Sequence, residues 1–164
     1  MRGPTRKFLP ATILAGIGYG AAVAADLSTV GQWIDKNPSD KIGDGKSLWD
    51  QPGVEAAMRA AMGETYFVRS HKQMNGPEGP VASDGKGLFA AWSCNADDCS
   101  GNQMTVFFDS NAGSAQVCWR GSGDGGNVQD LWLTNGKARP LPINSCGYRA
   151  RNPFAALKKF GGPA

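Results

Sequence analysis

The four cysteines, Cys94, Cys99, Cys118 and Cys146, all lie in the second half of the 164-residue chain. What they do depends on the compartment in which the chain folds. The N-terminus addresses that question. Arg2, Arg6 and Lys7 precede an apolar run from Phe8 to Ala25, and no further charge occurs before Asp26. A basic head, an apolar stretch and the small-residue end Ala22-Val23-Ala24-Ala25 form the pattern of a secretory signal peptide. The competing reading is a short membrane span of about 17 residues. Pro10 and glycines 16, 18 and 20 interrupt the run, and the Ala-Val-Ala site favours cleavage after Ala24 or Ala25. The expected organisation is a signal peptide over 1–25 and a single domain over 26–164, periplasmic or secreted, with no membrane attachment after cleavage.

An even number of cysteines in an oxidising compartment reads as disulfides. Four cysteines allow three pairings. Cys94–Cys99 with Cys118–Cys146 is the expected one, because the first two flank a tight turn. Loop-closure entropy assigns roughly 2 kcal/mol to the short bridge and roughly 3.6 kcal/mol to the long one. Zinc ligation needs a second close pair, which Cys118 and Cys146 do not form. The Cys-x4-Cys spacing is also not the Cys-x-x-Cys of thiol oxidoreductases.

Export also reinterprets the charge. The whole chain carries 17 Lys and Arg against 14 Asp and Glu, for a net +3. Removing the three cations of the signal leaves 14 of each sign. Arg149, Arg151, Lys158 and Lys159 are too sparse for a phosphate-tracking face, so nucleic acid is excluded as a partner.

Residues 26–51 are turn-rich, with Trp33, Ile34, Leu48 and Trp49 as expected apolar anchors. The spacing of Val54, Ala57, Met58, Ala61 and Met62 predicts a helix over Pro52–Met62 with one apolar face. Asp50 or Gln51 is the expected cap, and Gly63 the stop. Short strands are expected at Thr65–Arg69, Gly87–Ser93, Met104–Asp109, Ala115–Arg120 and Val128–Thr134. The short loops between them imply antiparallel pairing. A second short helix is expected at Phe154–Phe160. The fold class is therefore α+β: an antiparallel sheet of about five strands with one or two helices packed on it.

The stretch most informative about function runs from Ala91 to Val106. A strand ends in Ser93-Cys94, the loop Asn95-Ala96-Asp97-Asp98 follows, Cys99 closes it, and an apolar strand begins at Met104. Closure removes the loop's conformational freedom before a partner arrives, which suits a plug for a concave site. The bland alternative is a stapled turn with a solvated aspartate pair.

Over about residues 88–120 this pattern resembles the periplasmic inhibitors of vertebrate lysozyme. In that family the loop is typically Cys-Lys-Pro-His-Asp-Cys, and it enters the lysozyme cleft. Cys94, Cys99 and Asp98 match the motif; Asn95, Ala96 and Asp97 stand at the lysine, proline and histidine positions. The family histidine engages the two carboxylic acids of the lysozyme site, where an aspartate meets like charge. The resemblance implies an exported binding protein whose partner is a lysozyme or other glycan-cleaving enzyme of envelope or host, and it admits a homodimer. Asn95, Ala96, Asp97 and Asp98 are its expected partner-binding residues. The alternative is a structural periplasmic interaction module that has lost lysozyme inhibition.

An enzyme is not expected. Glycoside hydrolysis needs two carboxylates about 5–10 Å apart with separated pKa values, and adjacent exposed aspartates offer no reason for separation. There is no Gly-x-Ser-x-Gly elbow, no His-Glu-x-x-His and no Cys–His pair, and His71 lies outside the loop. No cofactor or metal is expected, since Asp97, Asp98 and Asp124 do not form a spaced series of calcium ligands.

Overall fold

The computed structural model describes residues 24–123, 126–147 and 151–162, without the side chain of Lys72. The expected signal segment up to residue 23, together with Asp124 and Arg149, lies outside the described residues. Six strands form one antiparallel sheet in sequential order: β1 (Glu78–Ser83), β2 (Leu88–Cys94), β3 (Gln103–Asp109), β4 (Ser114–Ser122), β5 (Val128–Thr134) and β6 (Lys137–Leu141). Helices α1 (Pro52–Ser70) and α2 (Ala155–Phe160) cover its two faces. The α+β class is as expected, with one more strand than the pattern predicted.

Period-two alternation divides the sheet side chains. Met104, Val106 and Phe108 of β3, Val117 and Trp119 of β4, and Leu131 and Leu133 of β5 form the larger core with Val54, Met58 and Met62 of α1. The alternate residues Ala90, Phe107, Cys118 and Trp132 form a second cluster on the opposite face. There α2 contributes Leu157 and Phe160, preceded by Phe154. Both expected disulfides are present, Cys94–Cys99 and Cys118–Cys146, and the second lies within this second cluster.

The four central strands coincide with the expected ones to within two residues. The two missed strands are the sheet edges. Pro80 lies in β1 and Pro140 in β6, and the β1–β2 register shifts between Gly79 and Ala82. Proline cannot donate to a ladder and is tolerated at an edge, which hides such strands from alternation rules.

The expected strand Thr65–Arg69 is a correction: it is helical. Gly63 does interrupt the helix, with φ 69° and ψ 161°, but the chain re-enters helical geometry and continues to Ser70. The broken turn is met from outside, because the Gly136 N–H at the β5–β6 turn donates to the Ala61 carbonyl at 3.1 Å. Tertiary packing overrides the β-propensity of Thr65, Tyr66, Phe67 and Val68. Phe67 is buried, and its ring meets His71 edge-on at 4.8 Å, one helical turn later. Gln51 occupies the N-cap position of α1, but neither its side chain nor that of Asp50 makes a capping bond. Gln51 reaches Asp44, and Asp50 accepts from the Ser47 hydroxyl.

Trp33 and Leu48 are core residues, and Trp49 packs at its edge. Ile34 is 40% exposed and is therefore not the anchor expected of it. Its neighbourhood instead covers sheet edge β1: the Asp35 N–H donates to the Val81 carbonyl at 3.0 Å and the Val81 N–H to the Lys36 carbonyl at 2.8 Å.

Gly63 adopts a backbone region that a side chain makes costly. Gly63→Ala is expected to lower stability by about 1–3 kcal/mol in urea unfolding. An unchanged midpoint would mean that the helix closes across the break.

Candidate functional site

β2 and β3 pair in full register from Leu88 opposite Asp109 to Cys94 opposite Gln103. The stretch between Cys94 and Gln103 leaves the end of the sheet as a closed turn. The Cα atoms of Cys94 and Cys99 are 4.9 Å apart. Asn95 N–H donates to the Asn102 carbonyl at 2.9 Å, and Asn102 N–H to the Asp98 carbonyl at 2.9 Å. Asn95 Oδ1 accepts from the Asp97 N–H at 2.9 Å. The loop thus fixes its backbone with its own groups.

The two aspartates have different positions in this arrangement. Asp98 Oδ1 accepts from Gly101 N–H at 2.9 Å and Ser100 Oγ at 3.0 Å, and Oδ2 accepts from Asn102 Nδ2 at 2.9 Å. These donors, led by the Gly101 amide and then the Ser100 hydroxyl, hold its carboxyl below the usual aspartate range. Gly101 is required by the same contact: a Cβ there would lie 2.4 Å from Asp98 Oδ2. Asp97 and Ala96 are exposed, and among the described residues no group bonds the Asp97 carboxylate. Both aspartates are exposed, but Asp98 braces the turn through its carboxylate while the Asp97 carboxylate is left open.

The loop is seated from two sides. On one, the segment before β1 presses against it. A Cβ on Gly76 would lie 2.0 Å from the Cys94 carbonyl oxygen and 2.5 Å from Ala96 N. Cys94 N–H donates to the Pro77 carbonyl at 3.1 Å, and Ser93 Oγ to the Gln73 carbonyl at 2.5 Å. On the other side stands a buried ion pair. Arg120 Nε donates to Asp130 Oδ1 at 2.7 Å and its Nη2 to Oδ2 at 2.9 Å. The remaining arm, Nη1, reaches the Ser100 carbonyl at 3.3 Å, just past the disulfide. Asp130 Oδ2 also accepts from Cys146 N–H at 2.9 Å. The Asp130 carboxylate raises the already high pKa of the guanidinium.

The register explains why these groups meet. Cys94 lies opposite Gln103, Gln103 opposite Arg120, and Arg120 opposite Asp130. Neither Arg120 nor Asp130 was singled out in the sequence. The available signal was a cation at the end of one expected strand and an anion early in the next, and facing strands place such a pair together. His71 lies at the end of α1, outside the loop. Among the described residues no group of three or more His, Cys, Asp or Glu is placed to hold a metal ion.

A six-stranded antiparallel sheet with a helix on each face, two disulfides and a closed, self-bonded loop at its end defines a disulfide-braced α+β protein. The family model for the inhibitor of vertebrate lysozyme (Ivy) matches residues 53–144. The chain belongs to that family, and the match takes in nearly all of α1, the loop, the buried ion pair and all six strands. No curated protein and no solved structure matches the chain.

Two outcomes are expected. Removing one partner of a buried pair leaves an uncompensated charge, so Asp130→Ala is expected to cost about 3–5 kcal/mol in denaturant unfolding. The Asp98 bonds favour its charged form, so they are complete above the ordinary aspartate value of 3.8 and are lost as pH falls through the depressed one. In an NMR titration the Gly101 amide is expected to shift with a midpoint below 3.8. A midpoint at or above that value would remove Asp98 as the brace.

Proposed function

We propose that this protein is an exported inhibitor-like binding protein whose Cys94–Cys99 loop enters the cleft of a lysozyme or another glycan-cleaving enzyme. The observation that carries the reading is a preorganised loop with one unpartnered carboxylate, lying inside the segment matched by the lysozyme-inhibitor family. A loop that bonds its own polar groups loses little conformational entropy on docking. Export agrees with two disulfides, with the basic and apolar N-terminus, and with a described structure in which no helix is long and apolar enough to cross a membrane. In this reading residues 1–25 act as the signal and 26–164 as one domain. Cleavage falls after Ala24 or Ala25; the first keeps Ala25, whose N–H donates to the Gly113 carbonyl at 2.9 Å, and the second removes it.

Asp97 defines the target chemistry. Against a cleft with two carboxylates, one group of the three must hold a proton, and Asp97 then accepts from it. Against a cleft with basic or amide donors, Asp97 binds in its charged form. The protein acts by occupation and performs no chemistry itself.

The test is a panel of lysozymes assayed with the wild type and two single variants. Asp97→Ala is expected to preserve stability and weaken inhibition at least tenfold. Asp98→Ala is expected to weaken inhibition through loss of loop order, visible as a collapsed Gly101 amide shift. Reduction of the Cys94–Cys99 bridge is expected to act in the same direction. If no lysozyme of any class were inhibited by the wild type, the reading would fail in favour of an interaction module that has lost inhibition.

A further inference from the structure

The two signs of charge are segregated along the chain. Residues 137–164 hold Lys137, Arg139, Arg149, Arg151, Lys158 and Lys159 and no Asp or Glu, while all 14 Asp and Glu lie in residues 26–136. Along the sequence these cations are sparse, but the fold draws four of them to one side. Arg139 lies opposite Trp132 across the β5–β6 ladder, so alternation puts Lys137 and Arg139 on the side of the sheet that α2 covers. Both are exposed, and Arg139 Nη2 donates to the Phe160 carbonyl at the end of α2. On α2, Leu157 and Phe160 pack against the sheet, while Lys158 and Lys159 are exposed.

Among the described residues no ion pair reaches these four cations. The strands contain three acidic residues. Glu78 lies on the opposite edge strand, β1, and accepts from Trp49 and Ser39. Asp130 is buried against Arg120. Asp109 borders the far end of α2 beside Gly161, and its Oδ1 accepts from the amides of Asn111 and Ala112, each at 3.0 Å. Asp84, Asp97 and Asp98 belong to the β1–β2 and β2–β3 turns, on the other half of the sheet. The other described acids precede β1, in α1 and the segment before it, and α1 packs on the opposite face.

An apolar side chain stands among the cations. Ile143 is 59% exposed and lines a shallow groove with Lys159 and the half-buried Phe160. The turn that carries it is fixed, with Ser145 N–H donating to the Pro142 carbonyl at 3.2 Å and Asn144 at φ 70°.

We propose that the α2–β6 side docks reversibly on an anionic phospholipid surface, with Lys137, Arg139, Lys158 and Lys159 over the phosphate groups and Ile143 entering the interface. Charge selects an anionic partner, and an exposed apolar side chain beside lysines favours a lipid surface over a soluble polyanion. A nucleic acid or an anionic glycan would use the cations and leave Ile143 in water. The Phe160 ring is already taken up by Trp132 and the Lys159 ammonium, so it does not serve as a stacking platform for bases. The contact is peripheral and departs from the expectation of no membrane attachment. The loop leaves the end of the sheet at β3, three strands or roughly 14 Å from β6, and stays accessible.

The experiment is co-sedimentation of the exported, disulfide-bonded protein with vesicles of phosphatidylglycerol and phosphatidylcholine in equal parts, and with phosphatidylcholine alone. Binding to the mixed vesicles only is expected at about 0.1 M salt, with most of it lost at about 1 M, where the Debye length falls to about 3 Å. The double variant Lys158→Ala, Lys159→Ala is expected to weaken binding at least tenfold with an unchanged unfolding midpoint. Ile143→Ser is expected to weaken it about threefold while keeping the salt dependence of the wild type. No binding to the mixed vesicles, equal binding to both kinds, or either variant binding as the wild type does would overturn the proposal. So would tighter binding to heparin or a DNA oligonucleotide than to the vesicles. Lysozyme inhibition is measured separately in solution, so either reading can fail while the other stands.

Discussion

The Arg120–Asp130 pair is the interaction on which the arrangement of the site depends. Both side chains are nearly excluded from water, and their bidentate geometry leaves each carboxylate oxygen and each guanidinium arm with an assigned direction. Burying two charges is not a gain in itself, since an apolar pair of similar volume is often as stable. What the pair supplies is specification. Arg120 donates to the carbonyl of Ser100 at the base of the loop, while Asp130 accepts from the backbone of Cys146. One ion pair thereby ties the end of β4 and the start of β5 to both disulfide-bearing segments. It can do so only in one register, because a slip of one residue would turn both side chains to the other face.

The loop itself works on the opposite principle. Its turn is fixed by bonds among Asn95, Asp97, Asp98, Ser100, Gly101 and Asn102, and its disulfide spans few residues. Its conformation is therefore nearly independent of the sheet, while its position is entirely set by the sheet. Pro77 and Gly76 hold one side and Arg120 the other. This separation lets residues 96 and 97 vary in chemistry without disturbing the scaffold. Such tolerance is consistent with a family member that carries Asp97 where the typical loop has histidine.

Much of the scaffold was legible from periodicity. The four central strands alternate or run apolar between clear turn signals, and the apolar face of Pro52–Met62 is helical by spacing alone. The edges were not legible, because Pro80 and Pro140 break the pattern where an edge strand tolerates it. Thr65–Arg69 was misread because its residues favour strands locally. Its helical state follows from the burial of Phe67 against the core, which no local rule sees. Gly63 was read as a stop and is a break, since the carbonyl it frees finds Gly136, a residue more than seventy positions away.

The sequence by itself determined the balanced charge of residues 26–164, the existence of a disulfide-closed loop and the α+β class. Each of these is carried by composition or by neighbours within a few residues. Only the tertiary structure decided that Asp98 is a brace and Asp97 is free, that Arg120 and Asp130 face each other, and that β6 and α2 bring their cations to one side. Those facts depend on strand register and on which side chains are withdrawn from water, and neither exists until distant segments have packed.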